Sequence, residues 1–158
     1  MTYNLATREA VAMSGQGAAL ADFVRHSGPL RGQALHRLAI ACTAALARLH
    51  GRGTSGLRLT PESVALGTRG QVLIGWHPAA AGGSEAEDVR AWADVVVFAA
   101  TGVQDGDPAV LPPALRIAVE QCRHADAAAR PRAADLLRVL LGHTVAAAVA
   151  SVDDLLAS

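Results

Sequence analysis

The chain has 158 residues, of which 51% are apolar but only 3% aromatic, and its formal net charge at pH 7 is zero. That length suits one domain with a sizeable core built from Ala, Leu and Val, which favours closely packed helices over an aromatic-rich sandwich. All 14 basic residues are Arg and Lys is absent; the balanced charge leaves no electrostatic footprint for nucleic acid or an anionic membrane.

In chain order, Arg8 to Met13 is a short apolar run ending at SGQG and reads as a strand entering a turn. Ala18 to Val24 reads as a short helix, stopped by HSGP at His26 to Pro29. From Leu30 to His50 the pattern is helical, because Leu35, Leu38, Ala39, Cys42, Leu46 and Leu49 recur at three- and four-residue steps. Gly51 and Gly53 suit its C-terminus. Val64 to Leu66 and Val72 to Ile74 read as two very short strands joined through a GTRG turn, a small hairpin.

Ser84 and Glu87 have the spacing of a capping box, although Asp88 could instead mark the helix start. The run from Asp88 to Thr101 is apolar on most sides, as expected of a helix in the middle of a domain. Leu111 to Arg123 and Ala133 to Leu141 read as further helices, the second preceded by Pro131. His143 to Leu156 is a weaker helix on which Val145, Val149, Val152 and Leu156 can share a face. It has no basic face, so packing on this domain or on a second copy is expected rather than membrane binding. No internal repeat is present.

Cys42 and Cys122 fall on separate expected helices, and no signal peptide or long uncharged apolar run is found. They read as reduced core thiols of a cytoplasmic protein. GQGAAL at Gly15 lacks the third glycine of a dinucleotide fingerprint and no βαβ unit follows it. Cys122 and His124, with His50 or Cys42, match no common zinc spacing. Neither a metal site nor a cofactor is expected.

The segments SGQGAALADFVRHSGPL, ALARLHGRG, LTPESVAL, VLIGW, DVRAWADVVVFAATG, LPPALRIAVEQC and ADAAARPRAADLL follow one another in an order that resembles the C-terminal lobe of a bacterial, actinobacterial-type serine/threonine protein kinase. The resemblance covers roughly residues 8 to 142 and rests on the order of the pieces more than on any one of them. It implies a mainly α, protein-kinase-like C-lobe: a helical domain with a small β-hairpin and room for one hinge strand. Residues 1–142 would form that lobe and residues 143–158 an additional C-terminal helix. About a dozen residues precede the hinge match, too few for an N-lobe, so the N-lobe is expected to be absent.

The same resemblance implies a disarmed site. The family's catalytic loop reads H-R-D-L-K-P-x-N, and the matching residues here are Gly56, Leu57, Arg58, Leu59, Thr60, Pro61, Glu62 and Ser63. Arg58 replaces the Asp that accepts the substrate proton, and a guanidinium has no acceptor. Ser63 replaces the Asn that holds the second metal, and Gly75, followed by Trp76 and His77, replaces the metal-binding Asp of the DFG triplet. With no Lys in the chain the phosphate-pairing lysine is missing too. Asp88 matches an Asp that binds backbone amides of the catalytic loop, Trp92 is expected in the core, and Arg130 matches an Arg whose acidic partner would be Glu85 or Glu87. A plain N-cap for Asp88 and a solvated charge for Arg130 are the bland alternatives.

The function expected from these features is a catalytically inactive, pseudokinase-type scaffold that binds a protein partner or a second copy of itself. Its docking face would be the one a kinase N-lobe covers, with Val11, Met13, Leu20, Val64, Leu66, Ile74 and Trp76. Left bare, those residues would form an apolar patch on the order of several hundred Å². No nucleic acid, membrane insertion or ATP binding is expected. The alternative is a residual nucleotide or small-molecule sensor at the remnant of the ATP site.

Overall fold

The computed structural model describes residues 18–67, 72–74, 84–103 and 105–142. A small antiparallel sheet of β1 (Ala18–Ala19), β2 (Val64–Leu66) and β3 (Val72–Ile74), in that order, sits beside a helical body. The body comprises α1 (Leu20–Ser27), α2 (Gly32–Gly51), α3 (Glu85–Thr101), α4 (Pro113–Cys122) and helical residues 133–142, here α5.

The strands β2 and β3 pair with Val64 opposite Ile74 and Leu66 opposite Val72. The segment expected as a helix from Ala18 begins differently. Ala18 and Ala19 pair with Leu66 and Ala65 on the other edge of β2, and the helix starts at Leu20. Two alanines have a strong helix propensity, but an unpaired sheet edge offers backbone partners that outweigh it. The strand expected over Arg8 to Met13 lies outside the described residues, as does the helix expected over His143 to Leu156.

The helix α2 starts two residues later than the periodicity of its apolar face suggests. Leu30 donates its amide to the carbonyl of Ala99 at 2.7 Å, so this residue is used to tie the entry of α2 to the middle helix. Leu35, Leu38, Ala39, Cys42 and Leu46 then form a buried stripe. The helix α3 starts at the capping box. The Ser84 hydroxyl accepts the Glu87 amide and the Glu87 carboxylate accepts the Ser84 amide, both at 3.2 Å. Asp88 is therefore one turn inside the helix and not its cap. Gly102 ends α3 in the left-handed region at φ 81°, a conformation that a Cβ disfavours.

α3 is the centre of the fold. Val89, Trp92, Ala93, Val95, Val96, Val97 and Ala99 are buried along it. Its packing against α2 is tied in the middle by a polar bond, the Trp92 indole N–H donating to the carbonyl of Ala39 at 3.1 Å. Its packing against α4 includes the Arg123–Asp94 pair, with Nε to Oδ1 at 2.9 Å. The loop between α3 and α4 contains a single 3-10 turn, Pro108–Val110, and α4 occupies Pro113–Cys122, the inner part of the helix expected over Leu111 to Arg123. No helix among the described residues is long and apolar enough to cross a membrane.

Candidate functional site

The helix α2 ends, and α3 begins, beside one loop, residues 54–63, and Asp88 joins all three. Its side chain is almost completely buried. Oδ1 accepts the amide of Leu57 at 2.8 Å, and Oδ2 accepts the amide of Gly56 at 3.0 Å and the Nε2–H of His50 at 2.8 Å. A carboxylate so removed from water is tolerable only with donors of this kind. Three donors from two segments fix the loop's backbone against α3.

His50 completes the cluster. Its Nδ1 is buried without a hydrogen-bond partner among the described residues and faces Oε1 of Glu85 at 3.8 Å. Sequence reasoning took His50 for a surface histidine, whereas its side chain is buried against Asp88. The signal was available, since His50 follows Cys42 and Leu46 at four-residue steps and so falls on the buried stripe of α2.

Arg58 follows directly after the two anchored amides. It is the only non-glycine residue of positive φ among the described residues, at 53°, and it is exposed. Anchoring Gly56 and Leu57 from below and burying Leu59 beyond it forces the chain to turn at Arg58. The outcome is a cationic side chain presented to solvent from the middle of the loop.

The next residues are held by a local clasp that sequence comparison alone did not suggest. Ser63 Oγ accepts the amide of Thr60 at 2.9 Å and donates to its carbonyl at 3.1 Å, and the Ser63 amide lies 3.2 Å from Thr60 Oγ1. Thr-Pro-Glu-Ser is a turn sequence, with Pro61 at its second position and a hydroxyl at each end. The Ser63 hydroxyl is thus committed to the loop's own backbone. Pro61 is buried and its carbonyl accepts the amide of Ala21, which ties the loop to the start of α1. Glu62 is exposed.

Other residues singled out from the sequence separate into two sets. Leu20 and Val64, expected on an exposed docking face, are fully buried and belong to the core. The short strand β2 has only three residues, so its inward side chains are spent on α1 and the helical body. Leu66 and Ile74 are half-buried at the margin of the core, and Leu73 between them is exposed. Val11, Met13, Gly75, Trp76 and His77 lie outside the described residues.

Trp92 is fully buried. Arg130 does not pair with Glu85 or Glu87. It donates from Nε to the carbonyl of His124 at 2.8 Å and from NH1 to the carbonyl of Ala86 at 3.1 Å. Glu87 is occupied by the capping box and Glu85 faces His50, so the guanidinium clamps backbone oxygens in their place. Among the described residues no group of three His, Cys, Asp or Glu side chains converges as a metal site. Burial pushes the Cys42 thiol up to about 12 and, against a smaller opposing effect of Arg130, does the same for Cys122.

A helical body around a buried α3, a small antiparallel sheet and an Asp-anchored loop together define a protein-kinase-like fold. Among solved structures the chain is similar to Rad53 1-466, crystallised in complex with AMP-PNP, with a TM-score of 0.66 and 18% identity. The match covers 76% of this chain and 43% of that chain, so it spans less than half of the kinase structure. At that identity the likeness is one of fold alone. No protein-family model matches the sequence, and no curated protein matches it.

Proposed function

We propose that this chain is a kinase-like helical lobe without phosphotransferase activity that serves as a protein-interaction and regulatory module. The observation that carries this reading is the position of Arg58. The Asp88 clamp holds Gly56 and Leu57 where the resemblance places the first two residues of a catalytic loop, and the residue presented next is a cation.

Phosphoryl transfer depends on positioning and charge neutralisation. An Arg at the base position cannot accept the proton of an attacking hydroxyl. The Ser63 hydroxyl is engaged with Thr60 and contributes no free ligand. The scaffold for holding the loop is intact while the loop's chemistry is gone. A retained frame with a lost reaction centre suits a protein that is recognised by others rather than one that turns over substrate.

The docking face is the side of the sheet that carries Leu66 and Ile74, half-buried at the margin of the core. A short sheet with partly exposed apolar side chains is a surface on which a protein partner or a second copy gains apolar contact.

Two measurements test the proposal together. Radiolabelled ATP with Mg²⁺ and a generic acceptor protein should yield no phosphoryl transfer; measurable transfer abolished by a change at Arg58 would end the reading. Light scattering of the wild-type chain should show self-association that Leu66→Arg removes without altering the far-ultraviolet circular dichroism. A monomer at all concentrations, with the variant failing to release any co-purifying protein, would remove the docking face.

A further inference from the structure

The cluster around Asp88 has one polar atom without a role, Nδ1 of His50. The Asp88 carboxylate already accepts the amides of Gly56 and Leu57, so the hydrogen it shares with His50 Nε2 at 2.8 Å belongs to the imidazole. That makes Nδ1 of the neutral ring a bare lone pair. It is buried, and it faces another acceptor, the Glu85 Oε1 at 3.8 Å. Two acceptors in contact gain nothing from each other, and a water linking them would need them about 4.5 Å apart. A proton on Nδ1 turns the same pair into a charge-assisted hydrogen bond.

The geometry points to a proton-operated switch at the junction of α2, the loop and α3. On acidification His50 Nδ1 takes a proton from solvent, Glu85 closes onto it, and the imidazolium bridges two carboxylates of α3. The amides of Gly56 and Leu57 stay on Asp88, so the loop that presents Arg58 is held more firmly in acid than at neutral pH. Histidine is the side chain whose charge ordinarily changes between about pH 5 and 8. Glu85 can complete the contact by a side-chain rotation. Its side chain is half-exposed, and the capping box is made by Ser84 and Glu87 without it.

The charges around the ring fall on two sides. Asp88 and Glu85 favour the protonated form at 2.8 and 3.8 Å. His50 lies in the last turn of α2, where the helix dipole also favours a cation. The positive end of α3 opposes it, but Glu85, Glu87 and Asp88 all stand in that first turn. The opposing cations are Arg48 and Arg52 at the end of α2, Arg58 in the loop and Arg90 on α3, all exposed and so screened by water and salt. Arg130 is engaged with the carbonyls of His124 and Ala86. The strand β3, which also packs on α2, carries no charge. The two adjacent carboxylates therefore set the balance.

The full chain and its Glu85→Gln variant, compared from pH 8 down to about 5.5, test the switch. Nitrogen-15 spectra of the imidazoles should show the His50 proton on Nε2 alone at the upper limit and on both nitrogens at the lower. Exchange of the Gly56 and Leu57 amides, corrected for its intrinsic pH dependence, should slow severalfold on acidification in the wild-type chain and stay level in Glu85→Gln. The urea midpoint of the wild-type chain should gain on that of the variant as pH falls. That is the sign required when the fold with Glu85 binds a proton more tightly, a stability present in acid and lost as pH rises. A bare Nδ1 at the lower limit, or amide exchange that changes in parallel in the two chains, would overturn the proposal.

Discussion

The amide of Leu57 donates to the carboxylate of Asp88 at 2.8 Å across 31 residues of sequence, and this bond decides the path of the loop. Asp88 also receives Gly56 and His50, so removing its side chain would leave three buried donors without an acceptor. Each such donor costs about 1–3 kcal/mol. Asp88→Ala should therefore lower stability by about 3 kcal/mol or more, read from urea unfolding. Asp88→Asn retains one acceptor oxygen and should cost less. A loss under about 1 kcal/mol for Asp88→Ala would show that the clamp contributes little.

Arg58 should behave as a strained residue. At φ 53° its Cβ is disfavoured, and glycine relieves that conflict. Arg58→Gly is expected to raise stability by about 0.5–1 kcal/mol, measured as a higher midpoint in denaturant. Arg58→Val, β-branched at the same backbone angle, should lower it.

Two glycines should respond to alanine with opposite signs. A Cβ on Gly106 would collide with the side chain of Thr101. That side chain cannot swing away freely, because its hydroxyl lies 2.7 Å from the carbonyl of Val97 and accepts the amide of Val103 at 3.1 Å. Gly106→Ala should cost about 1–3 kcal/mol. Gly51, the last residue of α2, has open space around its Cβ position, so Gly51→Ala should be neutral or stabilising by up to about 1 kcal/mol. Thermal midpoints of the two variants, recorded side by side, check both signs.

The buried thiols give a pH signature. Desolvation holds Cys42 and Cys122 in the neutral form up to about 12 in the fold, whereas an exposed thiol ionises near 9.0. Between those values the unfolded chain binds fewer protons than the folded one, so stability is fully present below about 9 and falls as pH rises toward 12. The double variant Cys42→Ala, Cys122→Ala should show a shallower decline over that interval in urea midpoints. In native protein at pH 8, thiol alkylation should proceed only at the rate of unfolding.

Much of the fold was legible because its signals are local. The apolar steps from Leu35 to Leu46 announce α2, the Ser84–Glu87 spacing announces the start of α3, and the strand pair Val64–Leu66 and Val72–Ile74 stands in the sequence with the bounds it has in the structure. Each signal is complete within a few residues, where backbone preference and side-chain period act together. The place of Arg58 in a loop anchored by Asp88 came from the same short-range comparison, and its reading against the kinase pattern is part of the proposed function.

Contacts between distant segments required the tertiary structure. The composition of Ala18–Ala19 favours helix, and only the free edge of β2 makes them a strand. Leu20 and Val64 look like any apolar residues on a bared face, and packing of α1, β2 and the helical body is what buries them. Arg130 has two glutamates within reach in sequence terms, yet the capping box and His50 claim both, leaving it the carbonyls of His124 and Ala86. Sequence by itself determined most of the elements seen among the described residues, because those follow from residue identity and short-range spacing. Tertiary structure alone decided which side chains are buried and which partners they take, because burial and hydrogen bonding compete among all groups that the fold brings together.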